Sequence, residues 1–313
     1  MVSMTVIVKC RVLRPKPFNQ TGVALLQVLL ITSVISLLAI RFTETVREQI
    51  AMAEQVELRV IAQLKAVSVQ SEVIFMLLSD SVTENKQPAG VLGSDLPEKS
   101  VLNRYGLPIN WADGVEVEIQ DLNGLLPQMF PDHALWRTLL ERSSLEQSSI
   151  NSYLGTWGDM QDSDRRNWNG DGDEPLMSND GGTYSNGYAQ SDKVARWIFD
   201  DRPMLLNLVL EVSDIDASYE TNLYNAPASL LYAILEHDVT DVLLMERGNE
   251  GKRSQGLNEF FRTEFRQENI FVHDSNRLRV TVSVDLPLGS YQQSQTILLK
   301  ALTNPPFVVI RKH

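Results

Sequence analysis

The sequence predicts an α+β fold, in which a long N-terminal helix packs on a split antiparallel sheet and a large α-helical domain is inserted into that sheet. Three observations support this prediction. An uncharged apolar run near the N-terminus continues into a long helical pattern without Gly or Pro. Segments with period-two alternation occur near residue 117 and at the C-terminal end. The chain between those segments has mainly helical periodicity.

The apolar run, residues 23–40, is long enough to be a transmembrane helix. It has 18 uncharged residues, close to the roughly 20 that span a bilayer core. Residues 1–22 before it contain four basic and no acidic residues. The positive-inside rule therefore predicts a single-pass protein with a cytoplasmic N-terminus and the rest of the chain outside the inner membrane.

The leader ends in Gly22, and the apolar run begins at the next residue. A signal peptidase site with small residues should follow the apolar run, but the sequence there is Arg-Phe-Thr-Glu. The arrangement instead resembles a type IV prepilin signal, in which a prepilin peptidase cuts after glycine and leaves Val23 as a methylated first residue. The alternative is an ordinary signal anchor with an incidental glycine.

Position five after this cleavage point is Gln27, where prepilin-like proteins normally have glutamate. That glutamate neutralises the N-terminal amine of the subunit ahead of it, in apolar surroundings where an unpaired charge is costly. Glutamine cannot supply the charge. We therefore expect a filament-tip position, with no subunit ahead.

The helical pattern continues from residue 42 to residue 80 with apolar residues at helical spacing. Pro88, Gly90 and Gly93 follow and indicate the end of the helix. A bare coiled coil is the alternative, but the heptad is not kept.

Strands are predicted at residues 114–119, 277–286, 294–302 and 307–311, where apolar and polar residues alternate. Residues 125–265 have mainly helical patterns and loops. The two groups of strands thus lie on either side of a long insertion, which predicts the split sheet.

The charge and cysteine content exclude some classes of function. The chain carries −12 overall and −16 without the basic leader, so its surface repels nucleic acid. Cys10, in the leader, is the only cysteine. The rest of the chain therefore has no disulfides and must be held by its core or by a metal.

An acidic, Gly-rich loop at residues 159–182 is a candidate Ca²⁺ site. Carboxylates this dense repel one another unless they are solvated or bridged by a cation, and Ca²⁺ accepts many oxygen ligands with loose geometry. A solvated loop without metal is the equal alternative. The candidate ligands are Asp159, Asp162, Asp164, Asp171, Asp173 and Glu174.

We find no catalytic motif in the sequence, and the chain is predicted not to be an enzyme. The four histidines are scattered without zinc-binding spacing, and no nucleophile elbow is present. Residues 248–254 superficially resemble a phosphate loop but lack its spacing.

Five segments in order resemble the minor pseudopilin of type II secretion called protein K. They are residues 22–26 (GVALL), 117–124 (VEIQDLNG), 157–164 (WGDMQDSD), 207–212 (NLVLEV) and 221–227 (TNLYNAP). The resemblance implies a pseudopilin fold and a Ca²⁺ site in the acidic region. It also implies a tip complex with the minor pseudopilins I and J, an inner-membrane assembly platform, and contact with exported substrates.

The predicted organisation has four parts. They are the leader (1–22), the transmembrane and filament helix (23–84), the pseudopilin head (85–124 and 266–313) and the inserted helical domain (125–265). The expected function is to form the pseudopilus tip in the inner membrane and to initiate its assembly. Two alternatives remain open: a minor pilin of a type IV pilus and a signal-anchored periplasmic hydrolase.

Overall fold

The computed structural model describes residues 21–82, 102–162, 191–247, 274–300 and 303–312. The chain divides into two compact units, Met1–Val60 and Ile61–His313. Helix α1 (Thr21–Val82) provides the described part of the first unit and the first element of the second. The other helices are α2 (Ala134–Arg142), α3 (Gln147–Asp159), α4 (Lys193–Ile198), α5 (Pro203–Val212), α6 (Ala228–Ile234) and α7 (His237–Arg247). The strands are β1 (Ile109–Ala112), β2 (Val115–Asp121), β3 (Leu126–Pro127), β4 (Ser213–Asp214), β5 (Arg277–Leu286), β6 (Gly289–Leu299) and β7 (Phe307–Lys312).

In the first unit, α1 exposes apolar side chains all around its axis. Neither Gly nor Pro interrupts residues 23–80, so nothing in this stretch breaks the helix. By length and composition α1 is able to cross a membrane. No other part of the described chain buries its apolar stretch. A helix that is apolar on every side needs lipid or other helices around it.

The second unit contains an antiparallel sheet with the strand order β1-β2-β5-β6-β7. β2 and β5 are neighbours in this sheet, with Val115 opposite Val284 and Asp121 opposite Leu278. Residues 122–276 separate these two strands in sequence. The insertion therefore leaves and re-enters the sheet between two adjacent strands.

The second-unit part of α1 packs on one face of this sheet. Each Val, Leu or Ile side chain fully removed from water there contributes about 1.5 to 3 kcal/mol. Gln70, buried within this layer, donates to the Val280 carbonyl at 3.3 Å and accepts from Gln293 at 3.0 Å. The buried side chains of this core are Ala62, Ala66, Val69, Val73, Ile74 and Leu77 of the helix and Val115, Val117, Ile119, Leu278, Val280, Val282, Val284, Ile297 and Leu299 of the sheet.

The insertion has a separate hydrophobic core built from α2 to α7. At its centre the rings of Trp136 and Trp157 lie 4.7 Å apart, and Phe199 contacts Trp157 edge to face at 5.8 Å. Trp136 satisfies its buried Nε1–H by donating to the Pro127 carbonyl at 3.0 Å. β3 and β4 form a short parallel pair beside this core.

These elements confirm the predicted α+β class and the long helix packed on an antiparallel sheet. The predicted strands correspond to β2, β5, β6 and β7, although β6 begins at Gly289, five residues before the predicted start. β1 was not predicted. The proposed domain boundaries stay predictions, since residues 83–101 and 248–273 lie outside the described part of the chain.

Candidate functional site

The carboxylate of Asp121 lies at the point where the chain leaves the sheet for the insertion. It is fully buried at the end of β2 and accepts four hydrogen bonds. The donors are the backbone N–H of Asn123 at 2.9 Å, that of Ser275 at 2.9 Å, Nδ2 of Asn225 at 2.7 Å and the hydroxyl of Ser275. Hydrogen bonds to an ionised acceptor are about twice as strong as neutral ones, so these four together can stabilise a buried charge.

This carboxylate joins three separate parts of the chain. Asp121 ends β2, Ser275 immediately precedes β5, and Asn225 lies within the insertion in a 3-10 turn, Leu223–Asn225. Two further hydrogen bonds reinforce the contact: Gln120 donates to the Asn225 carbonyl at 2.9 Å, and the Asn222 N–H donates to the Asn123 carbonyl at 2.6 Å. We call this set, Gln120–Gly124 with Asn222, Asn225 and Ser275, the junction.

Gly124 allows the two turns of the junction to approach each other. A Cβ at this position would lie 2.2 Å from the Asn225 carbonyl oxygen and 2.5 Å from its carbon. Both are backbone atoms, so neither can move aside as a flexible side chain does. The junction therefore needs glycine here for space, and not for an unusual backbone angle.

Half-buried ion pairs surround the junction. Arg104 pairs with Asp274 at 3.3 Å, Arg311 pairs with Asp216 at 3.3 Å, and Arg279 pairs with Asp214. Burial lowers the pKa of Arg279. Both members of each pair are partly removed from water, so the pairs are weak evidence of stability. The two that join the sheet to the insertion, Arg279–Asp214 and Arg311–Asp216, help to fix the position of the insertion.

A polar cavity of about 750 Å³ lies between the outer face of the sheet and the insertion. Glu118 of the sheet lines it together with Arg279, and Asp192 and Asp214 face it from the insertion. Burial raises the pKa of Glu118, and the nearby Arg279 guanidinium opposes that effect. The described lining contains three acidic and three basic side chains, so its formal charge favours neither an anion nor a cation.

Arg247, at the end of α7, also connects the insertion to the sheet side of the molecule. Its guanidinium lies over the rings of Tyr105 and Tyr224, at 4.9 and 5.8 Å from their centroids. It donates to the Leu223 carbonyl at 2.8 Å, and burial lowers its pKa to about 10. Stacking on two rings partly replaces the solvation that the charge loses.

The residues predicted to mark processing and the filament tip lie on α1. Gly22, Val23 and Gln27 fall within its first two turns, and Val23 is 60% exposed. Gln27 is also exposed. Val23 and Gln27 are therefore exposed at this end of the helix.

Two of the six predicted Ca²⁺ ligands are described, and they lie at the end of α3. Asp159 is the last residue of that helix and is 4% exposed, and Asp162 follows it in a half-buried position. The other four, Asp164, Asp171, Asp173 and Glu174, lie outside the described residues. In the part of the chain that is described, no group of three or more acidic, histidine or cysteine side chains is arranged to hold a metal.

Sequence reasoning missed His133, which caps the N-terminus of α2 and is buried. Its Nδ1 accepts from the Leu135 N–H at 3.3 Å, and its Nε2 lies 3.2 Å from the Thr221 hydroxyl. Burial lowers its pKa to about 4. The only sequence signal was its position immediately before an apolar helical run.

Comparison with known proteins identifies the fold. No protein-family model matches the chain, and no curated protein matches it by sequence. A solved structure does match: a chain in the crystal structure of the GspK–GspI–GspJ complex from the enterotoxigenic Escherichia coli type 2 secretion system, with a TM-score of 0.51 over 80% of this chain and 95% of that one. The chain has a GspK-like fold.

The sequence identity over this match is 11%. At that level the likeness establishes the arrangement of helices and strands alone. The GspK-like fold confirms the predicted resemblance to protein K, which rested on five segments, among them residues 117–124 and 221–227. In the structure these two segments are the halves of the junction, which explains why they occur together in one sequence.

Proposed function

We propose that this chain is a non-catalytic minor pseudopilin of a type II secretion system. It spans the bacterial inner membrane once, with its N-terminus in the cytoplasm and its second unit in the periplasm. It forms the tip of the pseudopilus and helps initiate pseudopilus assembly for the export of folded proteins. The observation that carries the proposal is the GspK-like fold, which accounts for 80% of the chain. The exposed apolar helix α1 supports it, because lipid or neighbouring helices must cover such a surface.

Gln27 supports the tip position. After cleavage behind Gly22, the amine of Val23 begins an apolar helix. In a filament, each such amine needs a carboxylate from the subunit below it, since an unpaired charge in apolar surroundings is costly. A subunit with glutamine at position 27 cannot neutralise the amine of a subunit ahead, so it fits where no subunit is ahead.

The proposed partners are two other minor pseudopilins, proteins I and J. The similar structure is a complex whose three named members are GspK, GspI and GspJ. The assembly platform in the inner membrane and the exported proteins are the further partners we propose. The junction holds the insertion to the sheet by hydrogen bonds from three chain segments, which suits a domain that must keep its position in an assembly.

We also propose that Ca²⁺ binds at the end of α3. A buried carboxylate at a helix C-terminus, as Asp159 is, faces the negative end of the helix dipole. Ca²⁺ accepts many oxygen ligands with loose geometry, and its charge interacts favourably with the negative end of that dipole. Asp162, half-buried three residues later, is the second proposed ligand among the described residues.

Processing is the first test. The full chain is expressed with and without a prepilin peptidase, and the mass of the product is measured. We expect the peptidase to remove residues 1–22 and leave Val23 as the first residue. A Gly22→Val variant is the matched control and should stay uncut. An intact wild-type chain in the presence of the peptidase contradicts the proposal, and it is the result expected of a signal-anchored hydrolase.

Assembly is the second test, and it separates a secretion subunit from a type IV minor pilin. The processed chain is mixed in detergent with the I and J proteins from the same bacterium, and the mass of the complex is measured by light scattering. A stable ternary complex is expected. Recovery of the chain alone, although it was processed correctly, favours the minor-pilin alternative.

A further inference from the structure

The last strand of the sheet, β7, has a neighbour on one side among the described strands. The strand order ends at β6-β7, and Val308, Val309 and Ile310 are 39, 36 and 40% exposed. Natural sheets usually protect their edges with charge, bulges or covering elements. The pairing of β7 with β6 shifts register between Val309 and Arg311, so a bulge interrupts this edge at Ile310 and leaves Phe307–Val309 as its regular part. The exposed aliphatic residues of that regular part are a template for the addition of another strand.

The register of β7 identifies which backbone groups face outward. The Lys300 N–H donates to the Pro306 carbonyl at 2.7 Å, and Leu298 lies opposite Val308. In an antiparallel pair, hydrogen-bonded positions alternate, so Val308 directs its N–H and C=O toward β6. Phe307 and Val309 consequently direct theirs away from β6. We call these outward groups of Phe307 and Val309 the β7 edge.

Exposed lysines lie at both ends of the β7 edge. Lys312 ends β7, and Lys300 lies beside its beginning. Arg311, in contrast, is paired with Asp216 at 3.3 Å. The edge is thus locally basic in a chain whose formal charge is −12. A strand that is apolar in the middle and acidic at its ends complements it.

A second copy of this chain does not fit the edge. If two β7 strands paired antiparallel, Lys312 of one copy would approach Lys300 of the other at both ends. If they paired in parallel, the Lys312 residues of the two copies would face each other. Both arrangements bring like charges together, which destabilises strand pairing.

We propose that the β7 edge binds an extended segment of a second protein. In the middle of this segment apolar residues occupy alternate positions, and an acidic residue stands at each end. The bound segment extends the sheet by one strand through the backbone groups of Phe307 and Val309. Its end carboxylates lie near Lys300 and Lys312. This inference does not depend on the proposed secretion function, because it follows from the sheet edge alone.

The test uses the full chain in detergent micelles and a fluorescent synthetic peptide of alternating valine and threonine with aspartates at both ends. Binding is measured by fluorescence anisotropy. We expect the same peptide with lysines at its ends to bind about tenfold more weakly, and added salt to weaken the aspartate peptide. A peptide methylated on the alternate backbone nitrogens that face the edge should not bind.

Two proline variants separate the edge from the fold. Val309→Pro removes an outward N–H, so it should weaken peptide binding about tenfold and leave the melting temperature nearly unchanged. Val308→Pro removes an N–H that bonds to β6, so it should lower the melting temperature.

Three results overturn the inference: equal binding of the methylated peptide, unchanged binding by the Val309→Pro variant, or a dimer of the wild-type chain that Val309→Pro dissociates. The last result would assign the edge to a second copy. None of these results changes processing at Gly22 or assembly with the I and J proteins, so they leave the proposed function untouched.

Discussion

Lowering the pH from about 8 to about 5 should destabilise the inserted helices through His133. This side chain is buried, and its pKa is lowered to about 4 from its ordinary value of 6.5, mainly by burial. The nearby Asp132 carboxylate and a hydrogen bond with the Tyr219 backbone oppose that effect. Because Nδ1 accepts the Leu135 N–H, the folded protein requires the neutral ring, and protonation at Nδ1 breaks the helix cap.

The sign of the effect follows from where the proton binds. Between pH 6.5 and 4 the unfolded chain takes up a proton on His133 and the folded chain does not, so stability falls as the pH falls. The full difference in pKa corresponds to about 3 kcal/mol. At pH 5 the loss is about 2 kcal/mol, since most of the unfolded chain is then protonated at this residue. At alkaline pH the contribution of the neutral ring is complete.

Urea unfolding followed by tryptophan fluorescence measures this effect, because Trp136 and Trp157 report on the core that α2 helps to build. Carboxylates titrate in the same range, so the comparison is with a His133→Gln variant, which keeps a side-chain acceptor for the Leu135 N–H and does not titrate. The wild type should lose about 2 kcal/mol more than the variant between pH 8 and 5. Equal losses in the two proteins would refute the reasoning.

Three further predictions concern the junction, the acidic region and the anchor. Gly124→Ala should cost at least about 2 kcal/mol of unfolding free energy, because its Cβ meets the Asn225 backbone; unchanged stability in urea would contradict the close approach. Ca²⁺ should raise the melting temperature of the wild type, and it should raise that of an Asp159→Asn variant by less. If Ca²⁺ raises both melting temperatures equally, Asp159 is not a ligand. Gln27→Glu should allow the chain to be incorporated along the fibre shaft, as seen by immunogold labelling; labelling still confined to the tip would disprove the role given to Gln27.

The sequence was sufficient to predict the elements that bury one regular face. β2 and β5 alternate apolar and polar residues because one side of each packs on α1, and that alternation is visible without the structure. β1 was missed because four residues, Ile109–Ala112, are too few to show a period, and its pairing with β2 decides its conformation. The start of β6 was missed because its first five residues, Gly289–Gln293, are glycine, serine, tyrosine and two glutamines, and apolar and polar residues do not alternate there.

The junction was beyond sequence reasoning for a different reason. Its contacts join residues about a hundred positions apart, and no local periodicity encodes them. Residues 117–124 and 221–227 each resemble segments of the protein K family, but nothing in either segment indicates that Asn225 donates to Asp121. The same holds for His133, whose burial comes from elements distant in sequence, such as Thr221.

The position of Asp121 explains how the sheet tolerates so large an insertion. The chain leaves the sheet at Asp121 and returns through Ser275, and the Asp121 carboxylate bonds both Ser275 and Asn225 within the insertion. One buried charge thus ties together the exit, the return and the body of the inserted domain. Once the ends of a loop are fixed side by side, its length adds little to the entropic cost of closing it. The β2–β5 pairing can therefore stay in register although residues 122–276 separate the two strands.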